Sequence, residues 1–134
     1  MTEKDLWGYK VSMKRLRLAL EKLKMQEAIA YAPPTQIING MPAEHISNGD
    51  KMALVLIHLE ELRERVTEAK KEATEAAMLL CRVENILNGE EAEFLHLRYR
   101  KMLSWSMIEK EMHYSDRHLA RIRRSILEKI SEKN

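Results

Sequence analysis

An all-α fold is what this sequence predicts, and three observations carry the prediction. Apolar residues recur at alternating spacings of three and four along most of the chain, the period of an amphipathic helix. Only three prolines and four glycines interrupt 134 residues, so a helix can run far before it meets a breaker. Charged residues make up 33% against 5% aromatic, a composition that favours long solvated helices over sheets.

The first helix is marked by Leu6, Tyr9, Met13, Leu16, Leu20 and Leu23 and is ended by Pro33 and Pro34. Residues 33–50 then read as a turn-rich loop, long enough to return the chain antiparallel and longer than helical hairpins usually need. The second helix carries an unbroken coiled-coil seam: Val55, Leu59, Leu62, Val66, Ala69, Ala73, Ala76, Leu80, Val83 and Leu87. Its three successive alanines let a neighbouring helix approach closely. Asp50 or Ser47 can cap its start, and Asn88 with Gly89 can stop it. Such a helix is about 58 Å long at 1.5 Å per residue, too long for a compact core of its own. Two seams therefore imply a long antiparallel, coiled-coil-like hairpin over residues 1–88, which also serves as the oligomerisation region.

Residues 89–134 read as a separate domain of three shorter helices. EEAEFLHLRYRKM has acids in its first turn and bases in its last, matching the helix dipole. Ser104 can cap a second helix whose inward side is Trp105, Ile108 and Met112; His113 and Tyr114 then turn the chain, and Ser115 caps the last helix. At 100° per residue, Leu119, Ile122, Ile126 and Ile130 fall within about 80° of one another, and Arg117, Arg121 and Arg124 within about 60° on the opposite side. A short helix, a turn and a longer helix with exposed bases near its start are the parts of a helix-turn-helix. Arginine suits the purpose, since it donates two parallel hydrogen bonds to guanine O6 and N7 or holds a phosphate. Arg123 points to the edge of the apolar stripe and reads as structural or phosphate-contacting. Asp116 is either a capping acid or an acceptor for a cytosine amino group. The competing reading of the same residues is a basic helix face that is merely solvated.

Charge is uneven along the chain: residues 1–32 carry seven Lys/Arg against four Asp/Glu, residues 33–90 six against ten, and residues 91–134 ten against seven. A polyanion is drawn to the last third, where 117–124 contains no acid. Cys81 is the only cysteine, so no internal disulfide or multi-cysteine zinc site is expected. His45, His58, His96, His113 and His118 form no ligand pair at metal spacing. Ser115 and His118 lack a third partner and an oxyanion turn, so no enzyme, metal or cofactor is expected. Trp105 and Tyr99 read as core residues at helix junctions. No apolar run approaches the roughly 20 residues of a membrane span, and MTEKDLWGYK lacks the order of a signal peptide. A cytoplasmic location is expected.

WSMIEKEMHYSDRHLARIRRSIL, residues 105 to 127, resembles the helix-turn-helix of sigma factor region four, aligning without gaps on its first-helix isoleucine, its turn serine and the apolar positions of its recognition helix. The wider order, GMP followed by S-x-x-D-K from Ser47 to Lys51, then LRYRKMLSW before MHYSDRHLARI, is similar to that of small phage-encoded transcriptional regulators related to the RinA and ArpU late-gene activators. This likeness covers residues 39 to 130. It implies a DNA-binding regulator of phage or prophage transcription in a bacterial host cell, with residues 115–131 in the major groove of double-stranded DNA. RNA polymerase is a further partner it suggests. Carried over by position, the base-facing sites fall on Asp116, Arg117, Ala120 and Arg121, of which Arg117 and Arg121 have long donors. His118, Arg124 and Lys129 are the implied phosphate neighbours, and with Ser115 they complete the expected DNA-binding set.

Two residues depart from the pattern. His113 stands where glycine is usual, and can take a left-handed backbone at modest cost. Glu109 stands where a small residue is expected, with Arg123 as its expected partner. Because affinity scales with the counterions released, one such module needs help, so a homo-oligomer is expected, a dimer first. Two other classes fit the same elements: an interaction module docking on RNA polymerase without reading bases, and a DNA-packaging subunit like a small terminase.

Overall fold

A computed structural model describes residues 1–31 and 48–132, and every regular element in them is helical. In chain order these are α1 (Glu3–Leu6), α2 (Gly8–Ala30), α3 (Asn48–Glu84), α4 (Gly89–Leu95), a π-helical turn (His96–Arg100), α5 (Trp105–Met112) and α6 (Asp116–Glu132). The loop expected over 33–50 lies outside the described residues except for its last three, which form the first turn of α3. Ser47, one of the two expected caps, lies outside them too. The chain divides into two compact units, Lys14–Lys71 and a second made of Met1–Met13 with Glu72–Asn134.

In the unit Lys14–Lys71, the predicted α3 seam is the buried stripe: Leu59, Leu62, Val66 and Ala69 are all buried. The stripe continues along the same helix into the other unit as Ala73, Leu80 and Val83. It is therefore already covered within a single chain, and is not available as the surface for self-association. On α2 the half-buried positions include Leu16, Ala19, Leu23 and Ala30, whereas Leu20, expected in the seam, is exposed. The reason is the mismatch between 3.5 and 3.6 residues per turn. In a straight helix a seven-residue repeat drifts by about 20° per heptad, and the drift from Leu16 through Leu23 to Ala30 moves the stripe toward position 19 and away from 20.

The other unit shows why a boundary at 88/89 does not describe the contacts. Short helices such as α4 and α5 enclose too little surface to stand alone, and N-terminal residues complete their core. The Thr2 backbone N–H donates to Asp5 Oδ2 at 2.8 Å and starts α1. Leu6, read as the first residue of the hairpin seam, is instead fully buried with Leu80, Val83, Phe94, Ile108 and Leu119. Burial of side chains of this size contributes about 1.5–3 kcal/mol each.

The end of α3 also differs from expectation. It stops at Glu84, and Asn88 begins the next helix. Its Oδ1 accepts from Glu91 N at 2.9 Å while Glu91 Oε1 accepts from Asn88 N at 3.1 Å, a reciprocal capping box. Helix α4 then widens by one residue: Lys101 N donates to His96 O at 2.9 Å, a five-residue span. Leu103 N donates to Leu97 O at 3.0 Å, and between them Met102 takes φ 61°, closing the helix with the left-handed residue usually supplied by glycine.

Candidate nucleic-acid interface

Helix α5 begins where Ser104, in extended backbone, accepts from Met107 N through its Oγ at 3.3 Å. It ends at His113, whose φ of 58° and ψ of 38° put it in the left-handed region. A non-glycine residue tolerates this conformation at modest cost, and here it ends α5, with only His113, Tyr114 and Ser115 between the two helices. Ser115 then caps α6, its Oγ accepting from His118 N at 3.2 Å. A further clamp fixes the two helix starts: Trp105 Nε1 donates to Asp116 Oδ1 at 2.5 Å. Asp116 is thus held by the indole through one carboxylate oxygen, and the residue remains exposed.

Helix α6 is amphipathic in the sense its sequence demands. Leu119, Ile122, Ile126 and Ile130 are buried, while Arg117, Arg121 and Arg124 are exposed. Among the described residues no carboxylate holds any of these three arginines. The other basic side chains of the helix have a different fate. His118 Nε2 lies 2.6 Å from Glu90 Oε1, with the Tyr114 ring edge-on at 4.3 Å. Lys129 Nζ lies 2.5 Å from Glu91 Oε1. Arg123 grips Glu3 with two nitrogens, Nε at 3.1 Å and Nη2 at 2.5 Å. The expected partner Glu109 does not take Arg123, because α1 packs into this core and brings Glu3 to the guanidinium first. Of the six expected DNA-binding residues, three arginines form an open face, while Ser115, His118 and Lys129 serve the fold itself.

The acids beneath this helix are tuned by these contacts. Glu91 is the one buried charged side chain among the described residues. Burial pushes its carboxyl up, but hydrogen bonds from Lys129, from Ser125 at 2.5 Å and from the Asn88 backbone outweigh it and leave it below its ordinary value. The Arg123 guanidinium holds Glu3 down against the opposing effect of burial, with a further bond from the Tyr99 hydroxyl at 3.0 Å. Hydrogen bonding to His118 lowers Glu90 in the same way, and Glu90 in turn raises Tyr114. Burial first, then the Glu3 charge, drives the Tyr99 phenol far above its usual range, so it remains a donor at any physiological pH.

An aromatic cluster supports the frame. The Arg98 guanidinium lies 5.2 Å from the Trp7 ring centroid and 5.6 Å from that of Trp105. Trp7 meets Tyr99 edge-on at 4.6 Å, and Phe94 meets Trp105 at 5.8 Å. Tyr99 and Trp105 are therefore packing residues, as their positions at helix junctions suggest. Sequence reasoning missed Glu3, Glu90 and Glu91 as the residues that decide which cations stay available. Only the N-x-x-E spacing of Asn88 and Glu91 signalled any of them, and it signalled a cap.

No group of three or more metal-binding side chains occurs among the described residues, and no helix there is long and apolar enough to cross a membrane. Comparison with protein-family models, with characterised proteins and with solved structures returns no match to this chain.

Proposed function

We propose that residues 104–132 act as a helix-turn-helix of the sigma region-four kind, with α6 lying in the major groove of double-stranded DNA. Arg117 and Arg121 are the base-contacting residues, and Arg124 holds a phosphate. The regulatory setting, transcription of phage or prophage genes, comes from the wider resemblance over residues 39 to 130. In this reading α2 and α3 form an antiparallel hairpin, joined through the half-buried stripe of α2 and the buried stripe of α3.

One observation carries the proposal. The other two permanent cations of α6, Arg123 and Lys129, are each held by a carboxylate and His118 lies against Glu90, whereas the three arginines at 117, 121 and 124 share one exposed face without one. On a helix that was simply solvated, exposed ion pairs would contribute little and need not follow any face. Here the pairs fall only on cations at the flank and inner edge, which leaves a strip of planar donors suited to bases and phosphates.

The test is a fluorescence anisotropy titration of the full chain with several duplex sequences at two salt concentrations. Each arginine that contacts a phosphate contributes about 0.9 to the slope of log affinity against log salt. Arg124→Ala is expected to reduce that slope and weaken all sequences alike, while Arg117→Ala and Arg121→Ala narrow the gap between preferred and random duplexes. If Arg121→Ala weakens every duplex equally, its assignment to a base is wrong. If the wild-type chain binds no duplex at all, the arginine face is a docking surface for an acidic protein such as a polymerase subunit, and the base-reading proposal fails.

A further inference from the structure

We propose that the outward stripe of α2 is a docking surface for the outward stripe of α3 in a second copy of this chain. Taking 100° per residue, Leu18, Met25 and Ile29 fall within about 40° of one another, on the side of α2 away from its half-buried Leu16, Leu23 and Ala30. They are 46%, 64% and 56% exposed. On α3, Leu54 and Ile57 stand opposite the buried seam and are 60% and 57% exposed. A single exposed aliphatic residue needs no explanation. Five at heptad-like spacing, on the unburied sides of two helices, form the half-seams of an unfilled coiled coil.

Charge selects the occupant. Helix α2 carries six Lys/Arg against two Asp/Glu, so pairing α2 with another α2 sets like charges together. The α3 stripe instead continues past Ile57 as the exposed Glu61, Glu64 and Glu68. Laid antiparallel, Ile29, Met25 and Lys22 of one chain meet Leu54, Ile57 and Glu61 of the next, apolar on apolar and ammonium on carboxylate. Leu18 then lies along the methylene stem of Glu64. Laid parallel from Leu18 and Leu54, the same stripes would set Lys22 on Ile57 and Met25 on Glu61, which wastes both matches.

The hairpin reading proposed above adds a consequence that rests on it. If the buried sides of α2 and α3 face each other, the two outward stripes look in opposite directions, so each chain takes one neighbour on α2 and another on α3. Such a head-to-tail interface either closes as a ring or grows as a filament.

The experiment is sedimentation velocity on the full chain and on two variants that each spoil one stripe, Met25→Glu/Ile29→Glu and Leu54→Glu/Ile57→Glu. All four positions are exposed, and far-UV circular dichroism checks that the helices are retained. Wild type is expected to form species larger than a dimer, each variant alone to be monomeric, and an equimolar mixture of the two to give a one-to-one heterodimer. Lys22→Glu is expected to raise the dissociation constant about tenfold or more, and adding Glu61→Lys to restore it. A wild-type chain that stays monomeric, or a mixture that does not pair, overturns the docking proposal. A wild type that stops at two subunits while the mixture still pairs keeps the docking partner, but overturns the opposed geometry and with it the hairpin.

Discussion

Glu91 should be the costliest single carboxylate to remove. Its side chain is 3% exposed and takes three hydrogen bonds, from Asn88 N, Ser125 Oγ and Lys129 Nζ. In Glu91→Ala the backbone N–H still serves Asn88, so only the return arm of the capping box is lost, about 1 kcal/mol. The Ser125 bond, made to a charged acceptor, contributes about 1.5 kcal/mol. The Lys129 pair is discounted to about 1 kcal/mol, because the lysine side chain is 38% exposed and rehydrates once released. Relief from burying the carboxylate offsets part of this sum, leaving a loss of about 2–3 kcal/mol. Glu91→Gln can keep the cap arm through its single amide oxygen, while its NH2 group faces Ser125 Oγ, which can turn to accept, and it should lose about 1–2 kcal/mol. Urea unfolding followed by far-UV circular dichroism measures both, with an unchanged slope confirming that stability alone has moved. A Glu91→Ala chain within about 0.5 kcal/mol of wild type, the usual range for neutral surface changes, would refute the claim that this carboxylate ties α4 to α6.

Three further outcomes follow from the same contacts. Glu3, Glu90 and Glu91 all have folded-state values depressed below 4.5, so the stability they contribute is present above that pH and is lost as pH falls through the folded values. The urea midpoint should therefore hold from neutral pH to about 5 and drop below about 4.5, with a shallower fall in Glu91→Gln. Arg123→Ala and Glu3→Gln should couple by about 0.5–1 kcal/mol in a double-mutant cycle, since both side chains are partly exposed, whereas Arg123 and Glu109 should show no coupling. His113→Val forces a β-branched residue into the left-handed region and should cost about 1–2 kcal/mol, while His113→Gly should not; thermal melts of the two variants check the pair.

Much of the fold is legible in the sequence because helical periodicity is written within a few residues. The buried stripe of α6, its exposed arginines, the caps at Ser104 and Ser115 and the α3 seam all follow from spacings of three and four. The turn at His113 follows as well, whereas its left-handed backbone is suggested only by the resemblance, which places His113 where glycine is usual. Leu20 was misplaced because positions 19 and 20 straddle the same stripe, and only the angular drift between heptads separates them. Asn88 was misread because the same Asn-Gly pair can end one helix or begin another, and the reciprocal bond with Glu91 decides which.

What the sequence by itself determined was the helical class and which face of each long helix is apolar, since both are properties of neighbours on one helix. What only the tertiary structure decided was which charges remain available. His118 finds Glu90 across 28 residues, Lys129 finds Glu91 across 38, and Arg123 finds Glu3 across 120. A carboxylate lowers its energy at whichever cation the fold brings within about 3 Å, and no local pattern encodes that meeting. The three arginines left open are the ones that packing passed over.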